Sequence, residues 1–596
     1  MSQGRQVGGY GHELTNLALI GLAALLFIAG ILRLSGTLAA WLTGIPGPRA
    51  GLAAGAGVLF SPGDPATALN APGLNVVVYW IIAGVQLAGV ATLGVWVWML
   101  TRRFTERREK DPRKIVGIAT RAEVKAQASD TALLRRAANL RPSIPQPAPA
   151  DVGFTLGASQ GVPVWASVED SILALGAPRS GKGLHVAINL ILDAPGAVVT
   201  TSTRPDNVAA TFHARGRGDR PVAVFDPQRL AAGIPAGLRW SPIRGCDDPL
   251  TAMIRAAGLA SATGLSAGDV EGGGFWEAKT KVALQALLHA AALDGRTPAE
   301  LFRWTLDPAA AAEAVSILDT NAGAASGWGD ALGGVIDSDP RSRDSVWQGV
   351  SLSLAALADP RVLDAVSPGP GEVFDPGAFL DEHGTLYLLA TGAGAGASAA
   401  LVAALVEDIV EVARRKAAVS PGARLDPPLA LVLDEIANIA PLPSLPTLMA
   451  EGGGTGITTV PILQSLAQAR EKWGDDAAAA IWDASIVKII LGGASNTRDL
   501  QDLSALLGER DEFTDSITMG AYGDRSSQRS VRRVPIMPPE RLRMLPFGTG
   551  VTLLRSAPPI ITDLRAWTAR RDAGQLRADR RKVEAFLKGG GARGEA

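Results

Sequence analysis

A lysine framed by glycines follows a short apolar run. Ser171-Ile-Leu-Ala-Leu175 leads into Gly176, Ala177, Pro178, Arg179, Ser180, Gly181, Lys182 and Gly183. The spacing of Gly176, Gly181 and Lys182 is that of a phosphate-binding loop between a strand and a helix. Glycines let backbone N–H groups turn inward around phosphate oxygens. Lys182 reaches toward the β and γ phosphates, and the following helix points its positive end at the same charge. Far along the chain, Leu429-Ala-Leu-Val-Leu-Asp434-Glu435 reads as a buried strand ending in two carboxylates. An NTPase needs such groups for Mg²⁺ and for positioning water. The expected chemistry is ATP hydrolysis, with ATP and Mg²⁺ at Lys182 and Asp434. In a chain with 68 glycines, a plain glycine turn with a solvated lysine is the rival reading of the loop pattern. The flanking strand, the helix and the distant carboxylates give weight to a phosphate loop. Position 183 is Gly where the common loop has a Ser or Thr hydroxyl for the metal. Mg²⁺ must then lean more on Asp434 and water.

These residues need a scaffold of alternating strands and helices. Residues 197–201, 222–225, 385–389, 429–433, 457–463, 487–491 and 551–554 are short apolar runs bounded by turns. Such runs suit a parallel sheet buried on both faces. The fold class is α/β with a mostly parallel sheet, over 151–244 and 371–565. Ser398 to Lys416 reads as a helix with a basic last turn. Residues 245–370 break the rhythm: they are Ala-rich and helical in pattern, with Trp276, Trp304, Trp328 and Trp347 as core anchors. They read as an inserted all-helical domain, a docking module or a plain decoration. Gln464 and Gln468 follow the run 457–463. A polar residue there, beside the carboxylate strand, is placed to sense a γ-phosphate; a surface glutamine is the plain alternative.

The chain has 596 residues, a formal net charge of −1, one cysteine and five histidines. That excludes a disulfide framework and argues against a zinc centre. Residues 15–32 and 76–100 are uncharged and long enough to span a bilayer. A signal peptide fits the first poorly, because Arg5 is the only arginine or lysine ahead of it. Thr101 to Lys114 carries seven basic residues against three acidic ones, whereas 33–75 holds only Arg33, Arg49 and Asp64. The positive-inside rule therefore puts the large C-terminal part, and the N-terminus with it, in the cytoplasm. A two-helix transmembrane anchor is thus expected over 1–110. A charged juxtamembrane segment and a stiff Pro-rich linker, Arg141 to Pro149, should follow to 150. A charged tail closes the chain over 566–596.

Two weaker signals remain. Thr391-Gly-Ala-Gly-Ala-Gly-Ala397 imitates a dinucleotide fingerprint with the wrong spacing, so a glycine turn is expected. Ser526-Ser-Gln-Arg-Ser-Val-Arg-Arg533 is a basic patch that suits phosphates or a solvated loop.

Taken together, the motifs resemble those of TraG-like type IV coupling proteins, within the wider FtsK/HerA group of RecA-like pumps. The resemblance covers about 165 to 560 and the anchor. It rests on the loop 176–183; Val198-Val-Thr-Thr-Ser-Thr-Arg-Pro-Asp206; Val224-Phe-Asp-Pro227; Trp240-Ser-Pro-Ile243; Leu433-Asp-Glu-Ile-Ala-Asn-Ile439; and Gln464-Ser-Leu-Ala-Gln468 before Trp473-Gly474. A glycine at 183 is familiar in that family. The resemblance implies a RecA-like P-loop NTPase fold and an inner-membrane ATPase. Its task would be to deliver relaxase-bound single-stranded DNA to a conjugative secretion channel. By the same resemblance, Lys182 binds phosphates, Asp434 orients Mg²⁺, Glu435 polarises the attacking water and Gln464 couples the γ-phosphate to the subunit. The implied partners are DNA held without sequence preference, the relaxase and relaxosome, channel proteins, the membrane, and further copies in a homohexamer. The rivals are an FtsK-like double-strand translocase and a receptor that does not pump. The chain departs from the pattern at Glu451-Gly-Gly-Gly-Thr455, where many relatives carry an arginine that acts on a neighbour's site. Arg470 and Arg498 are the substitutes to consider.

Overall fold

The computed structural model describes residues 10–261, 273–391, 396–519 and 525–591. The chain divides into two compact units, Met1–Asp111 and Pro112–Ala596.

In the first unit, helices Tyr10–Thr43 and Val76–Lys110 carry the apolar stretches. Gly21–Thr43 and Val76–Met99 are each long and apolar enough to cross a bilayer. The first span was expected to end at 32, before Arg33, yet the helix continues. The Arg33 guanidinium donates to the carbonyls of Pro48 and Ala50 and to the Thr37 hydroxyl, each at 2.7 Å. A charge satisfied in this way does not break the helix. The Tyr79 hydroxyl donates to the Leu32 carbonyl at 3.0 Å and ties the two helices together. Leu26, Phe27, Trp41, Ile81, Leu93 and Trp96 stay exposed on their outer surfaces, which water would not favour.

The second unit is built on strands β1 Gly153–Ser159, β2 Val162–Ser167, β3 Ile172–Leu175, β4 Val198–Ser202, β5 Val222–Phe225, β6 Thr385–Leu389 and β7 Leu429–Asp434. The rest are β8 Ile457–Leu463, β9 Val487–Leu491, β10 Glu509–Met519, β11 Arg525–Pro535, β12 Thr549–Leu554 and β13 Ile560–Leu564. Eleven form one sheet in the order β2-β1-β13-β12-β9-β3-β8-β7-β4-β6-β5. From β9 to β5 every neighbouring pair is parallel. The other four strands extend the sheet antiparallel. Every apolar run expected as a strand is one. Alternate residues of β3 feed opposite cores: Leu173 and Leu175 face one side, Ile172 and Ala174 the other.

Between β5 and β6 the described residues hold helices and no strand. Trp304 and Trp347 are buried there, and Trp276 and Trp328 pack against the same core. Leu259 and Leu284 of these helices share one core with Leu173, Val199 and Leu431 of the sheet. Residues 112–150 belong to the second unit. Val124, Leu133 and Leu140 pack with β1 and β2, and Arg141 pairs with Asp426. The segment expected as a stiff linker is therefore fastened to the sheet. The C-terminal Ala573–Gly591 is a helix. Its Leu576 is buried with Ile188, Ala210 and Trp567, and its Asp579 pairs with Arg217 at 2.9 Å. The basic patch 526–533 lies in β11, paired with β10 as a separate hairpin. Of the glycine run 391–397, residues 392–395 lie outside the described residues.

Candidate functional site

β3 and β8 are neighbours, but the chain leaves them in opposite directions. After β3 the next parallel strand is β4, beyond β8 and β7; after β8 it is β9, on the far side of β3. The segment after β3 packs on one face through Val186, Leu190 and Ile191. Helix Leu466–Trp473 after β8 packs on the other through Ala469. A crevice at the carboxyl ends of such strands is where open α/β sheets place ligands.

The loop 176–183 opens at that crevice. The Gly176 N–H donates to the Leu463 carbonyl at 3.1 Å. A side chain at 176 would meet Ser180 Oγ at 2.5 Å and Leu491 at 2.8 Å, so the tight turn requires glycine. Arg179 and Gly181 both have positive φ, 64° and 92°, and Arg179 is exposed. Gly183 then starts a wide π turn, Gly183–Ala187, ahead of helix Ile188–Asp193. Ala177 and Ser180 are half-buried and Pro178 is exposed, and Ser180 Oγ is buried without a hydrogen-bond partner. Lys182 is buried, and its Nζ donates to the Gly176 carbonyl at 2.8 Å. Burial pulls its pKa down, against the pull of Asp434 and Glu435.

Asp434 ends β7 in register with Ile462 of β8, and Leu175 of β3 pairs with Leu463. Loop, carboxylates and Gln464 thus share one edge of the sheet. Asp434 Oδ1 is sealed from solvent and has no hydrogen-bond partner. Burial pushes the Asp434 carboxyl up to about 6; Glu435 adds to the rise and Lys182 opposes it. Glu435 adopts φ 52°, a strained conformation for a non-glycine residue. It accepts from the Thr203 hydroxyl at 2.9 Å. Half-buried Gln464 donates its backbone N–H to Gln468 Oε1 at 3.0 Å, and Gln468 Nε2 donates to Asn438 Oδ1 at 2.8 Å. The strand end after β8 is thereby linked to the helix that follows Glu435.

An orphaned carboxylate oxygen with a raised pKa, beside a lysine and at the mouth of a phosphate-type loop, fits Mg²⁺ held jointly with nucleotide phosphates. Such a site needs only one or two carboxylates. A cavity of about 860 Å³ lies elsewhere, at the β5 edge, lined by Asp226, Arg229 and Arg239 among others.

Three features were not read from the sequence. Thr201, on β4, donates to the Asp434 carbonyl at 2.8 Å. Thr203 braces Glu435. Asn207 donates from Nδ2 to Asp434 Oδ2 at 3.4 Å. Their run, Thr200-Thr-Ser-Thr-Arg-Pro-Asp-Asn207, gives the signal only once β4 is known to flank β7. Of the arginines considered, Arg470 is bound to Asp499 at 2.7 Å. Arg498, on the next helix Thr497–Leu507, is exposed. At Gly453 any side chain would strike the Glu169 carbonyl at 2.0 Å, so an arginine cannot stand there.

Residues 428–547 match the family model described as the TraM recognition site of TraD and TraG. The fold is similar to the bacterial conjugative coupling protein TrwBdeltaN70 in its unbound form. The TM-score is 0.51, at 18% identity, covering 74% of this chain and 92% of that one. It is also similar to plasmid coupling protein TrwB in complex with ADP and Mg2+, with a TM-score of 0.50 at 17% identity, covering 75% and 95%. The TrwB complex with the ATP analogue ADPNP gives a TM-score of 0.50 at 17% identity, covering 74% and 92%. No curated protein sequence matches the chain. Over 428–547 the sequence is similar to the TraM recognition site of TraD and TraG, and the fold is similar to that of the TrwB coupling protein.

Proposed function

We propose that this chain is a membrane-anchored ATPase of the coupling-protein type, which recruits relaxase-bound single-stranded DNA and drives it to a type IV secretion channel. The observation that carries the proposal is the meeting of Lys182, Asp434, Glu435 and Gln464 on one sheet edge at the β3–β8 switch point. Backbone N–H groups of 176–183 cradle phosphates, and Lys182 exchanges its Gly176 bond for a phosphate oxygen. Asp434 would hold Mg²⁺ together with ATP, and the ion would supply charge neutralisation on the transferring phosphoryl group. Glu435, braced by Thr203, orients the attacking water. Gln464 is wired through Gln468 to Asn438 and couples the γ-phosphate to the moving elements. Exposed Arg498 is the candidate to complete a neighbour's site in a homohexamer. The two apolar helices anchor the chain in the inner membrane, with both termini cytoplasmic.

The TrwB complexes with ADP and Mg2+ and with an ATP analogue support nucleotide and metal binding by this fold. The match to a TraM recognition site supports a relaxosome partner. The test is conjugal transfer by a Lys182→Ala strain. The proposal expects the protein in the membrane and transfer abolished. Normal transfer would support a receptor that does not pump.

A further inference from the structure

Asn207 lies in the first turn of helix Asp206–Arg215, just after β4, and is fully buried. Its Nδ2 donates to Asp434 Oδ2 at 3.4 Å. That contact orients the amide, because a carboxylate only accepts and the NH₂ must face it. The oxygen therefore points away from Asp434. Asn207 Oδ1 is sealed from solvent and has no hydrogen-bond partner, and the same holds for Asp434 Oδ1. Buried amide oxygens without partners are rare and unfavourable. The loop supplies a second, independent observation. Beyond its chain neighbours and the backbone of its own turn, a Cβ built on Gly183 would meet one heavy atom within 4 Å, Asn207 Oδ1 at 4.0 Å. The space open to a side chain at 183 is thus the space that the Asn207 oxygen already faces. Position 183 is where a phosphate loop normally carries the hydroxyl that faces Mg²⁺. A neutral amide oxygen is a suitable replacement: Mg²⁺ accepts hard oxygen donors, and a further carboxylate would add to the repulsion around Asp434.

We propose that Asn207, from the helix that follows β4, the strand beside β7, supplies the neutral oxygen for Mg²⁺-nucleotide that Gly183 cannot, an assignment that rests on the ATPase reading above. The missing hydroxyl is replaced in space and not in sequence.

The test is binding of a fluorescent ATP analogue to the full-length protein in detergent, titrated with Mg²⁺ and repeated in EDTA. Asn207→Ala should raise the Mg²⁺ concentration at half-saturation by about tenfold or more, the range seen when a metal site loses a supporting group. Binding in EDTA should not change. Adding Gly183→Ser to Asn207→Ala should restore the Mg²⁺ midpoint toward wild type. Asn207→Leu, which fills the space without an oxygen, is the parallel variant should the alanine protein not fold, and should show the same Mg²⁺ shift. An unshifted midpoint, an equal loss in EDTA, or no rescue by serine at 183 would overturn the assignment. A wild-type protein whose nucleotide binding ignores Mg²⁺ would instead contradict the ATPase reading itself.

Discussion

The role proposed for Asp434 at the metal would come at a cost to the fold. Its carboxyl is raised from 3.8 to about 6, first by burial and then by Glu435. A raised acid pKa means that the folded state holds its proton more tightly than the unfolded chain. The ionised group therefore costs stability, and that cost sets in as pH rises from about 4 to about 6. Asp434→Asn should stabilise the protein at pH 7.5 by about 1–3 kcal/mol. The gain should vanish near pH 4 in thermal melts, while Mg²⁺-dependent nucleotide binding is lost. In the wild type, that binding should fall as pH drops through about 6. Glu435→Gln removes the neighbouring charge and should move the midpoint to lower pH. Lys182, Asp434, Glu435 and Gln464 were legible in the sequence because each sits in a local pattern, a glycine loop or a strand end. Thr203 and Asn207 were not, because they act through the pairing of β4 with β7, which no local pattern announces.

At the scale of elements, helix Leu466–Trp473 carries the link from Gln464 to the rest of the subunit. Buried Asp499 fastens it, accepting from the N–H groups of Leu466 and Ala467 and pairing with Arg470 at 2.7 Å. Asp499→Ala should cost about 2–4 kcal/mol in denaturant unfolding, since it orphans two helix N–H groups and a partly buried guanidinium. It should also lower turnover more than nucleotide affinity, because Gln464 shifts while 176–183 does not. The parallel strands were readable as continuous apolar runs, being buried on both faces. β1, β2 and β13 were missed: Gly153-Phe-Thr-Leu-Gly-Ala-Ser159 and its partners mix small and polar residues, and they are strands because the sheet edge extends over them. The hairpin β10–β11 exposes Phe513 and Val531; from the sequence only 526–533 stands out, as a basic patch that suits phosphates or a solvated loop. Its charges mask the two-residue alternation.

For the whole molecule, the division at Asp111 matters most. Residues 112–596 carry their own sheet and cores, so removal of 1–111 should leave a soluble protein. Without the anchor to concentrate subunits, light scattering should find it mostly monomeric and slow in ATP turnover. Robust hexamers in solution without DNA would contradict that role for the anchor. The helices between β5 and β6 share the core of the sheet through Leu259 and Leu284. Excising 245–370 would uncover that core, so a docking role there is better tested by substituting exposed residues such as Phe275 or Leu306 and measuring relaxase pull-down. The net charge of −1 supplies no overall attraction for a polyanion, so the proposed DNA binding would be local and should weaken steeply with salt. The measurement closest to the central claim is steady-state ATP hydrolysis by the purified full-length protein, with and without single-stranded DNA, beside Glu435→Gln. Turnover stimulated by DNA, with a loss of about 100-fold or more in a variant that still binds Mg²⁺-ATP, is the predicted result. Equal rates in the two proteins would contradict it.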